Sequence, residues 1–129
     1  MGQSQRDAIA SAINEVMTAG DEGVGLCCTM ETSSAAGEPV TIQVMQDSIN
    51  ISPYAHEDEP LDRLDTCGAT DGLDADLELV DWEAGVYATV GVDGLNVEEV
   101  AQLVDQIFVR LLGCSDAGYQ ISASTEDLG

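Results

Sequence analysis

The chain has no lysine. Its only basic residues are Arg6, Arg63 and Arg110, set against 25 Asp and Glu, and the 129 residues carry a formal charge of −22. A nucleic-acid-binding domain needs a basic stripe to displace counterions from phosphates, so that class is excluded. Adhesion to an anionic membrane needs juxtamembrane Lys and Arg, which are missing too. No run of 18 apolar residues exists to cross a membrane. Without lysine there is no Walker motif, and Gly20, Gly23 and Gly25 are in the wrong order, before a strand, for a dinucleotide fingerprint. The four cysteines contain no Cys-x-x-Cys pair, so the zinc signature is absent. There is one histidine and no Gly-x-Ser-x-Gly.

What is present is enough for one domain and one core. Leu, Ile, Val and Phe make up 31 of 129 residues, above the roughly 20% below which a highly charged chain stays disordered. The carboxylates are dispersed from Asp7 to Asp127 rather than gathered in a tail. Such a charge destabilises a compact state at low salt through self-repulsion. In molar salt, where the Debye length is about 3 Å, that repulsion is largely screened. Acidity without lysine, with many small residues, resembles a haloarchaeal cytoplasmic protein. That resemblance implies monovalent cations and water at the acidic surface. The opening residues lack a signal-peptide pattern, so the expected location is the cytoplasm.

Periodicity gives the element order α-β-β-β-(short α)-β-β-α-β. A helix is expected over Ser4–Ala19, with Ser4 as N-cap and Ile9, Ile13, Val16 and Met17 on one stripe. Gly20 and Asp21-Glu22-Gly23 close it. Strands are expected over Val24–Met30, Val40–Gln46, Ser48–Ser52, Leu77–Trp82, Val86–Val92 and Tyr119–Ser124. A short helix starts at Pro60 and ends near Cys67-Gly68. The Glu83-Ala84-Gly85 link reads as a hairpin loop with Gly85 left-handed. Asn96 with Glu99 is a capping box, Leu95 with Val100 a hydrophobic staple, and Gly113 closes that helix after Leu112. Hairpin-linked strands with helices gathered on one face define a two-layer, largely antiparallel α+β fold. One domain, 1–129, is expected, with 125–129 a frayed tail.

Candidate sites are few. Cys27 and Cys28 are adjacent in a strand and therefore point to opposite faces, so they cannot easily share a metal; Cys28 reads as core. His56, beside Glu57, Asp58 and Glu59, has no nucleophile motif with it. Asp71–Glu78 fails the calcium-loop pattern, since the sixth place counted from Asp74 is Leu79 rather than Gly. No catalytic residue, cofactor or metal is assigned. The last helix carries a wide apolar arc, and Val97, Val100, Val104, Ile107 and Leu111 fit the spacing of a partner face.

The segment Gly85–Val92, followed by Gly94-Leu95-Asn96-Val97-Glu98-Glu99 and the Val100–Leu112 helix, resembles the type III secretion chaperone-like fold and its non-secretory relatives. The likeness covers roughly the last third of the chain, and the strand after the helix departs from it. It implies a dimeric, non-catalytic protein-interaction module, with a homodimer or another protein as partner. Two alternatives stand beside it. One is an enzyme or small-ligand binder using a cleft near His56 and the acidic 71–83 segment. The other is a thiol-redox-responsive protein using Cys27 and Cys28.

Overall fold

The computed structural model describes residues 2–18, 26–52, 54, 57–70, 77–92, 95–114 and 119–127. The elements run α1 (Gly2–Thr18), β1 (Leu26–Ser33), β2 (Pro39–Val44), β3 (Ser48–Ser52), α2 (Pro60–Thr66), β4 (Glu78–Glu83), β5 (Tyr87–Gly91), α3 (Val97–Gln106) and β6 (Ser122–Asp127). The strands form one sheet in the order β4-β5-β3-β2-β1-β6, and every neighbouring pair is antiparallel. The helices pack against this sheet, giving the two-layer α+β fold that the hairpin pattern predicts.

Strand pairing sorts the side chains into rows. On the inner face Cys28, Val44, Ile49, Val90 and Leu79 form one row, and Met30, Ile42, Ile51, Ala88 and Trp82 form the next. Over the three central strands, β2, β3 and β5, every member of these rows is buried. Burial of each large aliphatic side chain contributes about 1.5–3 kcal/mol. The helices add Ile9, Ile13 and Val16 from α1, Leu64 from α2, and Val100, Leu103 and Val104 from α3 to the same core.

Local signals explain the best-defined elements. Asn96 Oδ1 accepts from the Glu99 amide at 2.8 Å, and the Asn96 amide donates to Glu99 Oε1 at 3.2 Å. The capping box thus forms as read, with Leu95 and Val100 both in the core. At α2 the Glu59 carboxylate accepts from the Leu61 amide, Pro60 occupies the first turn, and Gly68 follows the C-cap Cys67 with φ +83°. The Ala84–Val86 turn carries Gly85 at φ +79°, and the Gly85 amide donates to the Tyr54 carbonyl at 2.8 Å.

Several boundaries differ from expectation. α1 begins at Gly2, so Ser4 lies inside the helix rather than capping it; a cap preference of about 1 kcal/mol does not stop a helix that nothing else interrupts. β1 extends to Ser33, three residues past Met30, because both of its edges find a partner. The last helix does not stay α-helical to Leu112. It widens into a π-helical stretch, Ile107–Leu111, in which the Leu112 amide donates to Ile107 O at 2.9 Å. Gly113, at φ +78°, then turns the chain so that the Cys114 amide reaches Phe108 O at 2.8 Å. β6 starts at Ser122 rather than Tyr119 and runs through Asp127, so residues 125–127 are paired strand and not tail. The expected turn at Gly20–Gly23 lies outside the described residues.

The apolar arc of α3 is the main correction. Val100, Val104 and Ile107 are fully buried in the chain's own core, and Val97 and Leu111 pack against it. α1 lies along α3, and among the described residues the stripe packs largely into the chain's own core. The same packing buries Asp105 and Gln106, two positions that periodicity places on the polar side.

Candidate functional site

The outer face of the sheet has a different chemistry from the inner one. Ser124, Thr29, Gln43, Asn50, Thr89 and Asp81 are paired in one row across all six strands. Five of the six are uncharged. Asn50 Nδ2 donates to Thr89 Oγ1 at 2.7 Å and Gln43 Nε2 to Thr29 Oγ1 at 3.4 Å, linking neighbouring strands across the face. Thr41 and Ser52 pair beside this row, and Ser48 pairs with Gly91 on its other side. Carboxylates surround this row: Glu31 on β1, exposed and paired with Thr41 and Ser122, Glu126 on β6, and Glu78, Asp81 and Glu83 on β4. No described helix packs on this face. In a chain of −22 the Thr29–Gln43–Asn50–Thr89 row is an uncharged, hydrogen-bonding strip.

A second cluster lies between the helices. Arg6 Nε on α1 donates to Asp105 Oδ2 on α3 at 3.1 Å, and the Tyr119 hydroxyl donates to Asp105 Oδ1 at 2.6 Å. Tyr119 also rests on Phe108, with ring centroids 5.4 Å apart. Burial, followed by the bond to Asp105, pushes the Tyr119 hydroxyl far above its ordinary pKa. The carboxylate is thus compensated from both sides, and it ties α1, α3 and the segment leading to β6 together. Beside it opens a cleft of about 270 Å³ lined by Arg6, Asp7, Ala10, Glu98, Ala101 and Gln102. One guanidinium, already engaged by Asp105, faces two carboxylates there, so no single ligand charge is selected. Periodicity could not reveal this cluster. The only hint in the sequence is an arginine near the start of a chain that has just three.

The four thiols occupy four settings. Cys28 is fully buried on the inner face, and Cys27, on the outer face, is 2% exposed. Burial raises the pKa of both. The Glu126 carboxylate adds to the shift at Cys27, while a bond from Thr29 opposes it; at Cys28 a side-chain bond from Thr125 opposes it. Cys114 is buried at the π-helical end and pushed up to about 11 by burial alone. Cys67 is half-buried, its Sγ donating to the Leu64 carbonyl at 3.5 Å. All four are free thiols.

His56 and the 71–76 segment lie outside the described residues. Of the acidic stretch that does fall within them, Asp81 accepts from the Tyr87 hydroxyl at 2.5 Å on the exposed edge hairpin. Among the described residues no group of three His, Cys, Asp or Glu side chains could hold a metal ion, and no helix is long and apolar enough to cross a membrane. Comparison of the chain with protein-family models, curated proteins and solved structures finds no match.

Proposed function

We propose that the protein is a small, non-catalytic interaction module of a salt-rich cytoplasm, and that it self-associates through the outer face of its sheet. The observation that carries this reading is the uncharged row Thr29–Gln43–Asn50–Thr89 at the middle of a chain with 25 carboxylates. Two copies of a −22 chain repel wherever their carboxylates meet. An uncharged strip across the sheet is where that cost is smallest, and an isologous contact is the commonest way to use such a surface. Kinship with the type III secretion chaperone-like fold belongs to the same proposal and rests on the element order and the Gly85–Leu112 segment.

The test is light scattering in about 2 M KCl, where surface charge is screened. A dimer is expected. Gln43→Glu, nearly isosteric but charged at the centre of the face, should give folded monomers. A monomeric parent protein, or a dimer that Gln43→Glu leaves intact, overturns the reading. The salt dependence is checked separately: far-UV circular dichroism should collapse as KCl falls below about 1 M. Full structure in dilute buffer would refute the halophilic part.

A further inference from the structure

Cys27 and Cys28 both lie opposite the edge strand β6, Cys28 in the core beneath the helices and Cys27 on the outer face. In the β1–β6 register Cys27 lies opposite Glu126 and Cys28 opposite Thr125. β6 therefore caps Cys27 on the outer face with a carboxylate and Cys28 on the inner face with a hydroxyl. The strand itself, Ser-Ala-Ser-Thr-Glu-Asp, places no apolar side chain in the core, and Ser122 through Glu126 are all exposed. It is held by the backbone ladder, a Thr125 bond to Cys28, contact with α1, and two anchors that precede it, the Tyr119–Asp105 bond and the Thr32 hydroxyl donating to Gln120 O at 2.5 Å. Elements with few buried apolar contacts are the ones that open locally, at free energies well below global unfolding.

We propose that β6 is a removable cover beside Cys27, and that lifting it opens Cys27 to thiol–disulfide exchange with a small disulfide. Cys27 lies on the solvent side of the sheet, so it is the first thiol uncovered. Its proton leaves to water. The thiolate attacks one sulfur of the disulfide RS–SR, a Cys27–S–S–R bond forms, the S–S bond of the reagent breaks, and RS⁻ departs and takes up a proton. The adduct then adds bulk beside Glu126, at a thiol that is 2% exposed while β6 is seated. The strand cannot reseat, and the β1 edge stays unpaired. The raised thiol pKa fits this arrangement, because the closed state keeps the pair unreactive. Self-association is not required for any of these steps.

The experiment is timed reaction of the full chain in molar KCl with dithiobis(nitrobenzoate), itself an aromatic disulfide, with the modified cysteines located by peptide mass mapping. In the parent protein Cys27 should react at a rate that low urea leaves unchanged, as local opening requires, whereas the rate at Cys114 should climb with urea. In an antiparallel edge strand one of two successive residues directs its N–H to the neighbour. One of Ala123→Pro and Ser124→Pro therefore removes a ladder bond, and should speed Cys27 by about tenfold without changing Cys114. Ser124→Gly, milder and safe for folding, should give about threefold. Hydrogen exchange of the mono-adduct should show faster exchange in β1 and β6 alone. Equal response of Cys27 and Cys114 to urea, unchanged Cys27 rates in all three variants, or an adduct whose β6 amides stay protected would each overturn the proposal.

Discussion

β2 and β6 flank the same strand, and each pairs with six residues of β1 in antiparallel register. Their backbone relations are equivalent; their side chains are not. β2 sends Val40, Ile42 and Val44 into the core, whereas the inward positions of β6, Ala123 and Thr125, remain exposed. The contrast separates two ways of being in a sheet. β2 is held by burial, and it falls only when the core falls. β6 is held mainly by ladder bonds, whose net worth is about 1 kcal/mol each once water competes for the same groups, with a Thr125 bond to Cys28, contact with α1 and the tyrosine that leads into it. Acidic residues on β6 and β4 also keep both sheet edges from pairing with foreign strands.

The largest effects should come from the burial side of this contrast. Ile42→Ala removes a fully buried side chain from β2 and should cost about 2–5 kcal/mol in urea unfolding. Val104→Asp places a charge at a fully buried position of α3 and should abolish the fold, seen as loss of far-UV signal. A folded monomer of Val104→Asp would mean that this face is an interface after all. If Ile42→Ala proved as mild as a β6 substitution, the distinction between the two strands would fail.

Next come the anchors of β6. Arg6→Ala leaves Asp105 buried with its countercharge gone and the Tyr119 hydroxyl still donating to it. The Arg6 side chain is 36% exposed, so solvent screens part of the loss, and about 1–2 kcal/mol is expected. Tyr119→Phe removes the other bond and should cost about 1 kcal/mol. Both variants should also raise hydrogen exchange along β6 while leaving β2 unchanged; equal acceleration in the two strands would show that the anchor is not specific to β6.

How much of this was legible depends on range. The Asn96–Glu99 box, the Gly113 stop, the short helix at Pro60 and the limits of β3 all rest on residues within one turn or hairpin, and the structure reproduces them. The inner rows follow from strict alternation at Val40, Ile42, Val44, Ile49 and Ile51. Burial of Asp105 and Gln106 was not legible, because it depends on α1 crossing α3, with Arg6 lying 99 positions from Asp105 in sequence. The bounds of β6 were misplaced for a related reason: Ser-Ala-Ser-Thr-Glu-Asp has no apolar alternation, and only the edge of β1 makes it a strand. The neutral outer row is visible only once register is known.

Alkaline pH offers a smaller test. Cys114 rises from 9.0 to about 11 on folding, and Tyr119 rises from 10.0. Both groups are held neutral, so the unfolded chain releases their protons first. Their contribution is complete below pH 9 for Cys114 and below pH 10 for Tyr119, and it is lost as pH climbs through the folded-state values. The urea midpoint should therefore fall between pH 8 and pH 11. Cys114→Ala should flatten the part of that slope near pH 9–11, and Tyr119→Phe the part above pH 10. A midpoint that is level across this range would contradict the burial of both groups.

The smallest effect should be the most discriminating. Ala123 on β6 pairs with Met30, on the side of β1 that faces the core, yet it remains exposed. Ala123→Val adds apolar surface and β-propensity at a position where the strand now contributes neither. Global stability should change by less than about 0.5 kcal/mol, because exposed substitutions away from the core do little. Opening of β6 is a separate equilibrium, set by the few contacts the strand makes itself, and the added methyls should slow exchange of its amides and labelling of Cys27 together. A rise in global stability with no change in β6 exchange would mean that β6 unfolds with the core, and that β2 and β6 belong to one cooperative unit.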